Sequence, residues 1–155
     1  MCGIAGIATL DGRPVLESEL KIMTEGMVQR GPDDDGFIVA DTVGLGMRRL
    51  SIIDVAGGHQ PLSNETSDIF LVLNGEIYNH VELRQQLVSR GHVFRTQSDA
   101  EVILHLYEDH GTDALDYLNG MFAFALYDSR RRALWIARDR LGIKPLFYAI
   151  TSDRL

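Results

Sequence analysis

Apolar positions along this chain come in short runs whose period shifts repeatedly between that of a strand and that of a helix. Residues 3–9 (GIAGIAT) predict a buried strand, in which Gly3 and Gly6 admit close backbone approach. Asp11-Gly12-Arg13-Pro14 predicts a turn. Over 17–28, Leu20, Met23 and Met27 recur at i, i+3 and i+7, which predicts a helix with one apolar face. Arg30-Gly31-Pro32-Asp33-Asp34-Asp35-Gly36 is dense in turn formers and predicts a loop. Two short strands follow, over 37–40 and 43–48, joined tightly by Asp41-Thr42.

Residues 49–64 (RLSIIDVAGGHQPLSN) begin as a strand and continue as a long irregular segment. Such segments are uncommon inside compact domains and are often functional. Residues 69–73 (IFLVL) predict a fully apolar strand that Asn74-Gly75-Glu76 ends. Asn79 with Glu82 predicts a capped helix closed by Gly91, and Ser98 with Glu101 a second one over 99–110, ended by Gly111. Val102, Ile103, Leu106 and Tyr107 mark the buried face of the second. Residues 121–127, 133–138 and 145–149 predict three strands joined by turns at 128–132 and 139–144. Strands, then helices, then strands, with hairpin-like connections, predict an α+β domain of mainly antiparallel sheets with helices packed outside. There is no internal repeat or linker. The last residues, 151–155, follow an apolar strand without a charged tail, as a cut chain would.

A length of 155 residues suits one domain, able to bury roughly 70% of its unfolded surface. Hydrophobic content of 45% and charged content of 24% are ordinary for a soluble globular protein. The net charge of -7 argues against nucleic-acid and membrane-surface partners. The local basic run at Arg130–Arg132 falls in a predicted hairpin turn. No apolar run is long enough to span a membrane, and Asp11 and Arg13 interrupt the first one before it could act as a signal peptide. A lone cysteine forms no internal disulfide and suits a reducing cytoplasm.

That cysteine is residue 2. If Met1 is removed, Cys2 carries a thiol and a free α-amine together. These titrate near ~8.5 and about 7.7–8.0 when unperturbed, and an adjacent amine can activate a nucleophile. The plain alternative is a small apolar residue opening a buried strand. Five histidines (59, 80, 92, 105 and 110) are scattered, and His105 and His110 do not share a helix face, so no metal site is expected. His59 or His80 as the base of a Cys–His hydrolase stays open, because such partners meet only in space. Asn74-Gly75 can aim a side-chain amide and a backbone N–H at one point, as a developing oxyanion requires. The alternative is a hairpin turn, although Glu76-Ile77-Tyr78-Asn79 lead into a helix. Arg49 can clamp a carboxylate and Asp99 can accept from an ammonium, which together suit an α-amino acid. Singly, Asp99 is also favourable at a helix N-terminus, Arg49 could sit in a surface ion pair, and Glu76 is equally ambiguous.

Taken together, MCGIAGI, RGPDDDG, RRLSIIDVAGGHQPL, NGEIYNH, SDAEVILHLYE, NGMFAFALYD and ARDRLGIKPLFYA resemble, in order and over essentially the whole chain, the N-terminal glutaminase domain of glutamine-hydrolysing asparagine synthetases. The resemblance implies an N-terminal-nucleophile hydrolase fold, a four-layer α/β/β/α sandwich of two antiparallel sheets. It makes Cys2 the nucleophile, with its own α-amine as base, and Asn74 with the Gly75 N–H the oxyanion hole. Arg49, within a segment that includes Leu50 and Ile52, would hold the carboxylate of L-glutamine. Glu76 and Asp99 would hold its α-amino group, and Arg30 would support the pocket. The implied reaction forms glutamate and ammonia through a thioester, without a cofactor. In the family a second, synthetase domain uses ATP and Mg2+ to turn aspartate into asparagine. Its Ser-Gly-Gly-Leu-Asp-Ser type loop is absent from these 155 residues. Other ammonia acceptors, a catalytically silent glutamine-binding domain, a redox-sensing thiol and a homodimeric assembly all stay open.

Overall fold

In the computed structural model, which describes residues 2–54 and 57–155, strands and helices stack in four layers. Met1 lies outside the described residues, and with it the expectation that it is removed. The first sheet comprises β1 (Gly3–Ala8), β2 (Asp34–Ala40) and β3 (Val43–Arg49), antiparallel in the order β1-β3-β2. The second comprises β4 (Leu62–Ser63), β5 (Ile69–Ile77), β6 (Gly120–Asp128) and β7 (Ala133–Arg138), antiparallel in that order.

Alternation along each strand decides what faces what. On the outer side of the first sheet, Ile7, Phe37 and Val39 pack with Val15 and Leu20, under helix α1 (Glu17–Glu25). On its inner side, Ile4, Leu45 and Met47 meet Val72, Ala125 and Tyr127 of the second sheet. The outer side of the second sheet, with Leu71, Leu73, Phe122 and Phe124, packs on helices α2 (His80–Ser89) and α3 (Glu101–His110) through Leu83, Leu87, Ile103 and Leu104. The result is the α/β/β/α sandwich. Phe124 is fully buried among these layers, and removing a ring so placed typically costs about 3–5 kcal/mol. No helix among the described residues is long and apolar enough to cross a membrane.

Several elements depart from the pattern in the sequence, each for a local reason. Helix α1 ends at Glu25 and buries Leu20 and Thr24, while Met23 is exposed. Thr24 can be buried because its hydroxyl donates to the Leu20 and Lys21 carbonyls, and the face it shares with Leu20 lies flat on Gly46 and Gly44 of β3. Strand β2 starts at Asp34, inside the predicted loop, where Asp35 pairs across to Arg48 at 3.2 Å. Strand β5 does not stop at Leu73 but runs through Asn74-Gly75-Glu76 to Ile77, so Asn-Gly is no turn here. Residues 145–149 are not a strand: among the described residues no ladder takes them up, and Phe147, Tyr148 and Ile150 stay exposed.

Neither predicted capping box closes as expected. The Asn79 side chain bridges the Tyr117 carbonyl and the Asn119 N–H. Glu101 is buried and reaches back past Ser98, accepting from the N–H groups of Arg95 (2.7 Å) and Thr96 (2.9 Å) and from the Thr96 hydroxyl. Burial opposes its charge. His105, a positive neighbour whose Nε2 stands 3.9 Å away and too far to hydrogen-bond, and the Arg95 and Thr96 donors outweigh it, holding the carboxyl at about 2. A folded-state value below the unfolded one stabilises the fold above pH 4.5 and loses that contribution as pH falls toward 2. Glu101→Gln should therefore cost on the order of 2 kcal/mol in urea unfolding at neutral pH. Its gap from the parent chain should narrow steadily on acidification below pH 4.5.

Candidate active site

A cavity of about 180 Å³ is lined by Cys2, Arg49, Leu50, Ile52, Asn74, Gly75, Glu76 and Asp99. The residues that the resemblance makes nucleophile, oxyanion hole and glutamine clamp are thus brought to one place. The cavity lies where β1 begins and where β5 outruns its neighbour β4, which pairs only with Leu71 and Phe70.

The edge of β5 left bare by β4 explains much of the geometry. Leu73 donates its N–H to Gln60 Oε1 at 2.7 Å, and Ile77 donates its N–H to Asp99 Oδ2 at 2.8 Å. Gly75 sits midway between them, so strand alternation aims its N–H at the same edge. On the β6 side its partner Phe122 is turned away: the Phe122 N–H donates to Asp139 Oδ2 and the Phe122 carbonyl accepts from the Asp139 N–H. A Cβ at residue 75 would run into the Met121 carbonyl and the Phe122 backbone, so only glycine fits this close strand approach. Asn74 and Glu76 take the opposite pleat, the one on which Val72 faces the first sheet and the start of β1.

Cys2 is half-buried, and its Sγ accepts a long hydrogen bond from the Leu50 N–H at 3.4 Å. Arg30 donates from Nε to the Cys2 carbonyl at 3.2 Å, so the RGPD loop holds the nucleophile candidate by its backbone. Asp33 of the same loop accepts from the Ser51 N–H at 2.8 Å, fixing the segment that carries Leu50. Arg49 is buried, and its Nη2 donates to the Ile53 and Asp54 carbonyls at 2.7 and 2.8 Å, so the long loop folds round its own first residue. Asp54 then accepts from the Gln97 N–H at 2.7 Å, tying that loop to the approach to Asp99.

Asp99 is buried just before α3 rather than inside it. Burial, with Glu76 adding to it, raises its carboxyl above the ordinary range, against the Ile77 N–H and His80. An ammonium in the cavity would reverse that cost by pairing with the charged form.

Gln60, Ser98, Met121 and Lys144 also line the cavity, as do Ile53 and Leu73, and sequence reasoning passed over them. Gln60 and Lys144 stand inside the HQPL and GIKPL motifs, the one signal that could have marked them. Lys144 is placed by Asp139, whose buried carboxylate accepts from the N–H groups of Lys144, Ile143 and Phe122. Burial resists ionisation there, but these donors hold the Asp139 carboxyl below its ordinary range. Neither His59 nor His80 lines the cavity: His59 Nδ1 bonds Asp34 and His80 Nδ1 bonds the Ile77 carbonyl. A Cys–His hydrolase is thus not what the described residues build. Two of the scattered histidines do meet elsewhere, as the tilted rings of His92 and His105 lie with centroids 4.7 Å apart.

A glutamine amidotransferase domain model matches residues 1–155. Asparagine synthetase [glutamine-hydrolyzing] 1 of Bacillus subtilis is 42% identical over all of this chain and 25% of its own length. Asparagine synthetase B [glutamine-hydrolyzing] of Escherichia coli is 47% identical over 95% of this chain and 26% of its own. The chain therefore spans about a quarter of the curated relatives it matches. Glutamine phosphoribosylpyrophosphate amidotransferase from B. subtilis superposes with a TM-score of 0.78 at 21% identity, over 99% of this chain and 40% of that one, and so shares the fold. Two antiparallel sheets between helices are thus the fold shared with that amidotransferase, and the chain belongs to the glutamine amidotransferase domain family.

Proposed function

We propose that this domain hydrolyses the side-chain amide of L-glutamine to glutamate and ammonia through a thioester on Cys2. The observation that carries the reading is the convergence, in one small cavity, of Cys2, Asn74 and the open-edge Gly75 with the amino-acid clamp of Arg49, Glu76 and Asp99. With Met1 removed, the Cys2 α-amine takes the thiol proton and the sulfur attacks the amide carbon. The oxygen gathers negative charge between the Asn74 amide and the Gly75 N–H, each such donor contributing on the order of 3 kcal/mol. The amine returns its proton to the leaving nitrogen, and ammonia departs. Water, deprotonated by the same amine, then cleaves the thioester. Arg49 pairs with the substrate carboxylate, Leu50 and Ile52 wall its methylenes, and Asp99 with Glu76 holds its ammonium. Asp99 does this in its charged form, so the ammonium offsets the burial that raises its carboxyl.

The relatives' names and fourfold greater length support a second step beyond this domain. The ammonia would pass to an ATP- and Mg2+-dependent synthetase half that converts aspartate to asparagine, joined to this domain or separate from it, in the cytoplasm. Exposed Leu141, Ile143, Phe147, Tyr148 and Ile150 give such a half an apolar surface to cover.

Ammonia release from glutamine should be abolished in Cys2→Ala, and equal release by both chains would overturn the reading. Asn74→Ala should lower kcat by about 10²–10³ with little change in KM, because the lost bond is made mainly in the transition state. Glutamine affinity should weaken as pH falls through the raised Asp99 titration. Asp99→Asn should bind weakly at every pH and show no such dependence, which calorimetry across pH would read.

A further inference from the structure

Outside the Cys2 cavity, two histidines and a glutamate distant in sequence point at one spot. His105 on α3 is 1% exposed, His92 follows α2, and Glu65 follows β4. One ring nitrogen from each histidine and one carboxylate oxygen of Glu65 lie within 4.8 Å of one another. Each histidine is also oriented by a carboxylate. His105 Nδ1 sits 2.9 Å from Glu108 Oε2, and His92 Nε2 sits 3.0 Å from Asp109 Oδ1. The Glu65 carboxylate is steered by the Val93 N–H at 3.1 Å. The remaining nitrogen of His105, Nε2, is buried and has no hydrogen-bond partner among the described residues.

We propose that His92, His105 and Glu65 form a binding site for a divalent transition-metal ion of the zinc class. A metal-bound imidazole uses one nitrogen for the ion and hands the other N–H to a carboxylate, the pattern His105 shows; His92 hands Nε2 to Asp109, and its Nδ1, 3.4 Å from Glu108 Oε2, would turn to the ion. Two imidazoles and a carboxylate, with a water in the fourth position, are a ligand set that suits zinc. Ligands about 2.0–2.2 Å from a tetrahedral ion stand roughly 3.4 Å apart, so the three must close by about 1 Å or more. The exposed Glu65 supplies that travel. Glu101, Glu108 and Asp109 add negative charge around the spot.

A simpler arrangement, an imidazolium at His105 pinned between Glu101 and Glu108, explains less. It accounts for Nδ1 but leaves Nε2 at 3.9 Å from Glu101, beyond hydrogen-bond reach. It draws the Glu65 carboxylate in by charge, but leaves the buried Nε2 without a bonded partner among the described residues.

The test uses the chelator-treated chain carrying Cys2→Ala, which removes the one thiol that could bind metal by itself. Titration with Co2+ should give the visible absorption of a tetrahedral ion at one equivalent per chain, and Zn2+ should displace it and raise Tm. His92→Ala and Glu65→Gln should each weaken uptake at least tenfold, with circular dichroism unchanged. In the Cys2 background the same two substitutions should leave ammonia release unchanged. Absence of saturable Co2+ uptake, or uptake equally tight in both variants, would overturn the proposal.

Discussion

Backbone N–H groups in a buried strand edge have to be satisfied, and on β5 the sheet does not do it. Strand β4 covers only Leu71 and Phe70, and an unpaired buried donor costs about 1–3 kcal/mol. Gln60 meets the Leu73 donor and Asp99 the Ile77 donor, each from a loop or helix start brought in for the purpose. Between them the Gly75 N–H is aimed at the cavity, at the place where a substrate oxygen would settle. The same constraint that shapes the edge therefore explains the open Gly75 N–H, the proposed oxyanion donor, and the position of Asp99 beside it. Leu73, Gly75 and Ile77 act as one row.

The four-layer packing brings Cys2, the proposed nucleophile, to the cavity beside that row. Inner-face contacts of Ile4, Leu45 and Met47 against Val72 and Ala125 seat β1 over β5, and Arg30 and Leu50 then hold Cys2 by its carbonyl and its sulfur. Arg49, at the end of β3, is fixed by carbonyls of the loop it opens. Preorganisation of this kind is what electrostatic catalysis requires.

Much of this was legible in the chain and some was not, for physical reasons. Near-continuous apolar and small-residue runs placed β1, β3, β6 and β7 closely, because buried strands between layers need apolar residues on both pleats. Asn74-Gly75 looked like a strand end because Asn-Gly favours turns. Here glycine is required instead by the approach of the Met121 carbonyl, a tertiary fact. Residues 145–149 looked like a strand because they are apolar, yet apolarity without a ladder partner yields only an exposed segment. Met23 fitted the helical period, but Thr24 took its place because Gly46 of β3 made room for it. The site residues could be named from spacing and family motifs. Gln60 and Lys144 had only their motifs to mark them, and the meeting of His92 with His105 comes only from folding the chain up.

The central claim is that the processed Cys2, facing the Gly75 edge, forms a glutamyl thioester. Acid-quenched reactions with glutamine, followed by intact-mass and peptide mass spectrometry, test it most directly. The account predicts a chain lacking Met1 that carries a glutamyl group on residue 2 during turnover. Turnover by a chain that keeps Met1, or with no acyl group on residue 2, would contradict it.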